Sequence, residues 1–546
     1  MTLAKRDNIV LNLAAAVLLT TLMTRPAAAE GPSTAPDSAI SSSSGNGASD
    51  RQAAGQSSET NLDQTAAGNN FRQAISQFLL SDATNARSSN DGEADSQPAT
   101  ATTTAAPSDE QPGSGKQQAA PADKPAKPEP FAFADFTWLN GNSRQHKPVF
   151  DTPAFTGEVR VDTNYVYDMN HPKDHTLGGS SELGRTSEVQ LQQLGVGGDF
   201  HYDNVRARFL TQIGLYSTMT PRNDASTSRG QWDLANAYRY VSEAYGGYHF
   251  DKLNGINVDA GIFMSYVGLF SYYQYDNWAY QPSFVSSNTP WFFNGVRIQI
   301  FPNDHFKQEI WLTNGWQSYG VFNNAPGIGS QTLWRPNGNL SMLSNNYLYG
   351  KDTLGNPSRK RVHSDSSIEY KYLDHPDSKL SKAAFSFTVD AGCEYGGGVS
   401  CSGGSPSKPS QYFLGFMLYN RWWFNHDRYA VTLGGGAINN PGRYLVLIPP
   451  INGATAASGT PYFTANPGDP YKGWDGSATF DYMPSESVTF RYEFNHRAAN
   501  VPYWSGPGGL TPPGGNSGAP GSLVDGFQPD LRKSENRFTL ALLVKF

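Results

Sequence analysis

The stretch Phe538–Phe546, FTLALLVKF, ends the chain and alternates large apolar residues with smaller or polar ones. Successive side chains of a β-strand point to opposite faces, so a period of two predicts a strand with one face against an apolar medium. A last strand of this kind that ends in a C-terminal Phe is the form that the barrel-assembly machinery of outer membranes favours. We therefore expect that machinery to be a partner of the strand that ends at Phe546.

The same period recurs upstream of this stretch. Residues 158–167, EVRVDTNYVY, and residues 488–495, VTFRYEFN, each alternate an apolar or aromatic series with a polar or charged one. The apolar medium could be a protein core or lipid, because a soluble β-sandwich and a membrane barrel show the same alternation. The pattern within the strands does not decide between these two folds.

The connections between the alternating segments are more informative. Fourteen strands are predicted near 155–168, 185–200, 204–216, 237–250, 255–266, 292–301, 306–316, 359–373, 379–392, 411–424, 428–438, 472–483, 487–497 and 534–546. Short and long connections alternate, which is typical of outer-membrane barrels with short periplasmic turns and long extracellular loops. The sequence therefore predicts an all-β fold, a transmembrane antiparallel β-barrel over residues 155–546, located in the outer membrane of a Gram-negative bacterium.

An aromatic segment lies just before the predicted barrel. If Phe546 lies in the periplasm and the barrel has fourteen strands, the stretch Pro130–Asn142, PFAFADFTWLNGN, is not one of those strands. We expect segment 130–154 to lie at the periplasmic mouth or in the lumen as a small plug. The alternative is sixteen strands, with 130–142 and 339–350 included, which would disturb the sorting of the loops.

The N-terminal region predicts export. Lys5 and Arg6 precede a mostly apolar run, and Ala27–Ala29 follow it, which is the pattern of a secretory signal peptide over residues 1–29. Residues 30–129 consist mainly of Ala, Ser, Gly, Gln, Thr, Pro, Asp and Lys. Such a composition buries too little apolar surface to offset the entropy of ordering, so it predicts a disordered, low-complexity periplasmic segment.

The charge of the chain argues against a nucleic-acid partner. Its net charge is −7, with 16% charged residues, whereas such a partner requires a basic surface.

The two cysteines, Cys393 and Cys401, lie close together in CEYGGGVSC. In an oxidising cell envelope this pair predicts a disulfide, and metal binding by two thiols without a neighbouring His is the weaker alternative.

Several long stretches resemble a known family. They are LGVGGDFHY from Leu194, RGQWDLANAYRYVSEAYGGYHF from Arg229, GINVDAGIFMSYVGLFSYYQYDNWAYQPSFVSSNTPWFFNGVRIQIFP from Gly255 and NGWQSYG from Asn314. These stretches resemble the OmpL-like β-barrel porins, the second of two such porin families, over most of residues 131–380. The resemblance implies an outer-membrane barrel in contact with lipid, and it implies little about the substrate.

Charged residues alternate with the apolar ones on the predicted strands and so face the presumed lumen. The candidate pore-lining residues are Arg160, Asp162, Arg206, Arg208, Arg239, Glu243, Asp259, Arg297, Glu309, Glu369, Lys371, Arg491 and Glu493. Both signs of charge occur in nearly equal number. They could form a transverse field across a water-filled pore, or salt bridges that stiffen the wall or fill a closed lumen.

A loop between two predicted strands is rich in aromatic residues. Its candidates are Tyr272, Tyr273, Tyr275, Trp278, Tyr280 and Trp291. Aromatic faces stack on sugar rings, so the loop could be a carbohydrate track or a constriction folded into the barrel. The alternative is that these residues pack the loop against itself or form an aromatic girdle at the membrane interface.

Local enzyme signatures are absent from the sequence, which contains no G-x-S-x-G, H-E-x-x-H or phosphate loop. We therefore expect no enzyme activity, no cofactor and no metal site. The expected function is a porin-like channel for passive diffusion of small hydrophilic solutes. The alternative is a closed barrel that displays its long loops as a surface scaffold for binding or adhesion.

Overall fold

The computed structural model describes residues 129–178, 182–221, 224, 226, 230–352, 357–402, 410–441, 444, 471–513 and 527–546. The predicted signal peptide, residues 1–29, lies outside the described residues. So does the predicted low-complexity segment up to residue 128.

Sixteen strands form a closed antiparallel barrel. They are β1 Phe155–Asp168, β2 Val189–Tyr202, β3 Val205–Thr211, β4 Val241–Phe250, β5 Ile256–Met264, β6 Phe292–Asn303, β7 Phe306–Thr313, β8 Gly327–Asn337, β9 Leu340–Gly350, β10 Lys360–Asp374, β11 Leu380–Tyr395, β12 Tyr412–Phe424, β13 Tyr429–Asn440, β14 Tyr471–Ser485, β15 Val488–Ala499 and β16 Ser534–Lys545. Each strand pairs with its neighbours in sequence, and β16 pairs with both β15 and β1. This last pairing closes the ring and removes both free edges.

The sixteen strands correct the count of fourteen and agree with the larger of the two predicted numbers. The additional pair, β8 and β9, forms a hairpin within residues 317–358, which the sequence predicted as one long loop. The apolar residues of this hairpin are interspersed with Ser, Asn and Gly, so its alternation is weak. Residues 130–142 form turns and contribute no strand. The loops remain sorted, because the hairpin divides a long loop in two and adds one short turn.

The described strands are joined by short turns at one end and by longer loops at the other. The short turns are 203–204, 251–255, 304–305, 338–339, 375–379, 425–428 and 486–487. The loops are L1 169–188, L2 212–240, L3 265–291, L4 314–326, L5 351–359, L6 396–411, L7 441–470 and L8 500–533. Phe546 lies at the end with the short turns, where its backbone N–H donates to the carbonyl of Val159 at 2.9 Å.

The two faces of the barrel wall reverse the usual arrangement of a soluble protein. On β15, the outward Phe490 and Tyr492 are 39% and 51% exposed, whereas the inward Arg491 and Glu493 are 2% and 3% exposed. Soluble proteins bury apolar side chains and leave charged ones in water. An outward face of this composition is stable only in contact with hydrocarbon.

Exposed aromatic residues cluster near the short turns. Those on the outward face are Phe200, Tyr202, Tyr248, Phe250, Trp334, Tyr372, Tyr429, Phe490 and Phe546. Amphipathic rings concentrate at membrane interfaces, where one end of the side chain meets lipid and the other meets water. This girdle marks the membrane boundary at the short-turn end.

In the described part of the chain, helical structure is limited to short segments in the loops. Loop L2 contains α1, Tyr216–Met219, and α2, Leu234–Ala237, and L3 contains two turns of 3₁₀ helix, Gln274–Asp276 and Ser286–Asn288. Among the residues that the structure describes, no helix combines the length and the apolar composition needed to span a bilayer.

Candidate functional site: the barrel lumen

Twelve of the thirteen predicted pore-lining residues lie on barrel strands with their side chains directed inward. They are Arg160, Asp162, Arg206, Arg208, Glu243, Asp259, Arg297, Glu309, Glu369, Lys371, Arg491 and Glu493. Arg239 is the exception, since β4 begins at Val241 and not at the predicted residue 237. Residues Leu234–Ala237 form α2 instead, because the side chain of Asp233 caps the helix by accepting the N–H of Asn236 at 3.0 Å.

Arg208 on β3 is surrounded by three carboxylates. Its guanidinium lies 2.7 Å from Asp199, 2.9 Å from Glu158 and 3.0 Å from Glu243. The fork of N–H groups on an arginine allows it to bind several oxygens at once. Arg208 thereby joins carboxylates of β1, β2 and β4. Without Arg208 the local charge would be strongly negative.

A second cluster of charges lies further along the same wall. Asp259 on β5 accepts from Arg297 at 2.7 Å and lies 3.2 Å from Arg206. Glu309 on β7 binds the ammonium group of Lys307 at 2.7 Å. Positive and negative groups therefore lie side by side on the wall formed by β2–β7.

Loop L3 folds into the lumen, and carboxylates of the wall bind its backbone. Glu493 accepts the N–H groups of Tyr280 at 2.6 Å and Gln281 at 2.8 Å. Asp475 accepts the N–H of Phe284 at 2.8 Å. A loop inside a barrel has backbone groups that no neighbouring strand satisfies, so the wall must supply partners.

Arginines of the wall bind the carbonyl groups of the same loop. Arg491 donates to the carbonyls of Gln274 at 3.1 Å and Asn277 at 2.6 Å. Arg421 donates to the carbonyl of Trp278 at 3.1 Å. The predicted pore-lining residues Arg491 and Glu493 thus hold L3 in place and are not in contact with open water.

Four of the six predicted loop aromatics contact the barrel wall or the segment that directly precedes the barrel in the chain. Tyr273 donates to Glu243 at 2.7 Å, and Tyr280 donates to Asp162 at 2.7 Å. The Tyr275 hydroxyl binds the backbone carbonyl of Glu486, and the indole N–H of Trp278 donates to the Trp138 carbonyl at 3.1 Å. These four residues lie inside the barrel and not in an aromatic girdle on its outward face.

The other two loop aromatics, Tyr272 and Trp291, lie at the outer end of L3. Their ring centroids are 5.4 Å apart, and both rings contact Tyr216 of α1. These contacts join L3 to L2. Within L3, the aromatic residues therefore form two groups, one inside the lumen and one among the long loops.

One side of the lumen is filled by an apolar cluster. Its members on β11–β14 are Ala384, Phe413, Met417, Tyr419, Trp423, Ala430, Ile438, Tyr471 and Met483. Trp278, Phe284 and Val285 of L3 pack against this cluster, together with Phe136, Trp138 and Leu139. In a ring of sixteen strands, β11–β14 lie opposite β3–β6, so the apolar cluster faces the charged wall.

The N-terminal residues 131–146, here called the mouth segment, contact short turns on both sides of the barrel. The N–H of Phe131 donates to Asp304 between β6 and β7 at 2.8 Å. At the other end, Arg144 donates to the carbonyls of Ser485 at 2.7 Å and Val488 at 2.6 Å, between β14 and β15. These turns are eight strands apart in the ring, so the mouth segment crosses the short-turn end of the lumen.

The mouth segment also reaches inward. The backbone N–H of Asn140 donates to Glu369 at 2.8 Å, and the Asn140 side chain accepts the N–H of Trp278 at 2.8 Å. Lys371 lies 5.7 Å from the ring of Trp138. Two more of the predicted pore-lining residues, Glu369 and Lys371, therefore contact this segment.

Cys393 and Cys401 are joined by a disulfide at the end of β11, with their Cα atoms 5.2 Å apart. Among the described residues, no group of three or more His, Cys, Asp or Glu side chains is arranged to hold a metal ion.

Important lumen residues were missing from the sequence-based set. Asp475, Asp481 and Arg421 lie on strands that the sequence predicted, and strand alternation places them on the inward face. The same reasoning applied to every strand would have found them. Arg144 precedes the barrel in a segment without periodicity, so no local pattern indicated its role.

Comparisons with known proteins give low overall similarity to solved outer-membrane structures. An anion-selective porin from Comamonas acidovorans is 11% identical, with 72% of this chain and 99% of that chain covered and a TM-score of 0.40. The outer membrane channel DcaP of Acinetobacter baumannii is 12% identical, with 75% and 100% covered and a TM-score of 0.40. OmpT of Vibrio cholerae, in its trimer form, is 10% identical, with 72% and 100% covered and a TM-score of 0.39.

A comparison with curated protein sequences finds no significant match. The family model described as "Putative beta-barrel porin-2, OmpL-like" matches residues 155–546, which is the whole of the barrel. The chain therefore belongs to this OmpL-like family of β-barrel porins and is a protein of the Gram-negative outer membrane.

Proposed function

We propose that this barrel is a channel through which small hydrophilic solutes diffuse passively across the outer membrane. The observation that carries the proposal is the charged wall of β2–β7. Within it the side chains of Asp199 and Arg206 remain 50% and 30% exposed inside a barrel whose outward face is apolar. Both residues lie near the short turn 203–204, and charged groups that keep contact with water at this end of the lumen support a hydrated entrance to it.

The proposed path runs beside L3 and not through the centre of the barrel. L3 and the apolar cluster occupy the side formed by β11–β14, so passage is restricted to the side with the charged wall. The paired charges there, such as Arg208 with Glu158, produce a local field with little net charge. Such a path favours small polar solutes and gives weak ion selectivity.

We also propose that the lumen has no catalytic role. Its charged groups are bound to each other or to the backbone of L3, as Glu493 is to Tyr280 and Gln281. A general base or nucleophile needs free access to a substrate. The contacts of these groups support electrostatic and structural roles.

Assembly of the barrel is proposed to depend on β16. This strand closes the ring by pairing with β15 and β1, and Phe546 extends the pairing through two backbone hydrogen bonds with Val159. Its outward residues Phe538, Leu540 and Leu542 meet lipid. We expect the barrel-assembly machinery to recognise this strand.

A closed barrel that acts as a surface scaffold is the second candidate. The observation that favours it is the mouth segment, which crosses the short-turn end and packs Trp138 and Leu139 into the apolar cluster. In this case the charged wall would stabilise the barrel and the long loops would carry the function.

Planar-bilayer recording with the purified full chain separates the two candidates. Stepwise conductance in KCl that rises when the mouth segment is released supports the channel. Protein that runs as a folded, heat-modifiable band but never conducts, in its native form or after release of the mouth segment, would support the scaffold.

A further inference from the structure

A small cavity lies at the outer end of L3, between three of the long loops. It is lined by Glu182 of L1, Tyr216 of L2, and Tyr272 and Trp291 of L3, and its volume is ≈ 40 Å³. This space holds about three water molecules. Phe270 also lines the cavity and connects it to the apolar cluster, because its ring centroid lies 5.0 Å from that of Tyr419.

Three aromatic rings form one side of this cavity. The centroids of Tyr216 and Tyr272 are 4.5 Å apart, those of Tyr216 and Trp291 are 5.6 Å apart, and those of Tyr272 and Trp291 are 5.4 Å apart. Hydrogen bonds fix the orientation of Tyr272, whose hydroxyl contacts Gln212 at 2.8 Å and Thr220 at 2.6 Å. The rings are thus held rigidly before any ligand arrives.

A buried carboxylate lies beside the three rings. Glu182 is 8% exposed, and its carboxylate accepts hydrogen bonds from the side chains of Gln281 at 2.6 Å and Ser287 at 3.2 Å. Both donors are neutral. Within the described parts of the chain, no Lys, Arg or His side chain lies within salt-bridge distance of Glu182. A buried carboxylate beside a cavity, with neutral donors only, favours a cation as the occupant.

We propose that this cavity binds a small primary ammonium cation of the size of methylammonium, which fits within the space of about three water molecules. Aromatic faces attract cations through the negative potential above the ring, and ammonium groups are recognised by several rings at once. Glu182 would supply the counter-charge. A sugar ring is larger than the cavity and would leave this carboxylate without a counter-ion.

The proposal deepens the channel function and rests on it for its biological meaning, because it names a class of solute that is held at the outer entrance. Binding itself can be measured whether or not the barrel conducts. A protein that binds the cation without conducting would therefore refute the channel and leave the site intact.

The test is titration of the purified full chain in detergent with methylammonium chloride, followed by calorimetry or saturation-transfer NMR. Methanol, a neutral molecule of similar size, and myo-inositol serve as comparison ligands. We expect saturable binding of methylammonium that is at least about ten-fold tighter than binding of either neutral molecule.

Substitutions of the lining residues test whether the cation binds in this cavity. Glu182→Gln and Tyr272→Leu should each weaken binding about ten-fold, whereas Tyr272→Phe retains the ring and should bind within about two-fold of the native protein. Glu188→Gln changes a solvent-accessible carboxylate of the same loop, which pairs with Arg185, and should have no effect. If Glu182→Gln fails to fold, the two Tyr272 variants decide the outcome. Equal binding of methanol, tighter binding of myo-inositol, or unchanged binding by Tyr272→Leu would each overturn the proposal.

Discussion

Arg491 on β15 binds both carboxylate oxygens of Asp481 on β14, with Nε 2.7 Å from Oδ1 and Nη2 2.9 Å from Oδ2. The two residues are directly opposite each other in the strand register. The remaining N–H groups of Arg491 donate to the carbonyls of Gln274 and Asn277. One guanidinium therefore connects the barrel wall to L3.

Replacement of Arg491 should release L3 from the wall. Arg491→Ala leaves a carboxylate and two loop carbonyls with fewer partners in a buried environment, which costs about 3–5 kcal/mol of folding free energy. We expect a lower temperature of the heat-modifiable gel shift, together with a larger and noisier single-channel conductance. Arg428→Ala, the same change in an exposed turn, is the control. Unchanged conductance in a correctly folded variant would show that L3 does not restrict the path.

Release of the mouth segment should open the short-turn end of the lumen. Arg144 donates to Ser485, Val488 and the hydroxyl of Thr489, so Arg144→Ala removes the main attachment at this end. We expect more frequent opening events in planar bilayers. Lys147→Ala, at an exposed position three residues further along, should behave like the native chain. If both variants conduct equally, the mouth segment does not regulate passage.

Neutralising Arg208 should change the ion selectivity of the channel. In Arg208→Gln the carboxylates of Glu158, Asp199 and Glu243 lose their common cation, so the charged wall becomes more negative. The reversal potential in a KCl gradient should shift toward the value for potassium. Arg208→Lys keeps the charge and should shift it less. A reversal potential that does not move would place the conducting path away from β3.

The attachment of the mouth segment should weaken in acid. Burial raises the pKa of Glu486, but hydrogen bonds from His146 and the charges of His146 and Arg144 lower it more, so the pKa lies below its ordinary value of 4.5. A lowered pKa means that the ionised form stabilises the docked segment. This contribution is complete above pH 4.5 and is lost as the pH falls through the lowered pKa.

The measurement for this pH effect is the opening frequency between pH 7 and pH 3. It should rise below about pH 4 in the native protein. Glu486→Gln lacks the titrating group and should open frequently at all values of pH. A native protein that opens less often in acid would contradict the sign of the effect.

A charge on the outward face should prevent stable insertion. Leu418 lies at the middle of β12 and is 51% exposed, a position at which a soluble protein would tolerate a polar residue. In lipid, Leu418→Arg should cost about 2–4 kcal/mol. We expect a lower yield of folded protein in the outer-membrane fraction. Leu253→Arg, in a short turn that meets water, should assemble normally.

The regular part of the fold could be predicted from the sequence because strand geometry is local. In FTLALLVKF and in residues 158–167 the period of two assigns each side chain to one face, and this placed Arg160, Asp162 and Arg491 inside the barrel. The prediction was wrong where that local signal is weak, at the hairpin of β8 and β9, and where a capped helical turn replaces strand before Val241.

What lies inside the lumen could not be predicted from local patterns. The partners of Glu493 on L3 are more than two hundred residues away in the chain, and those of Arg144 more than three hundred. The sequence alone therefore determined the class of fold, fourteen of the strands and the inward position of twelve of the thirteen charged candidates, because these follow from the alternation of neighbouring side chains. Only the tertiary structure decided that L3 and the mouth segment enter the barrel. It also decided which charged residues bind these two segments and which face the remaining lumen. Those contacts exist only after closure of the ring brings distant backbone groups, which cannot be left unpaired, against the wall.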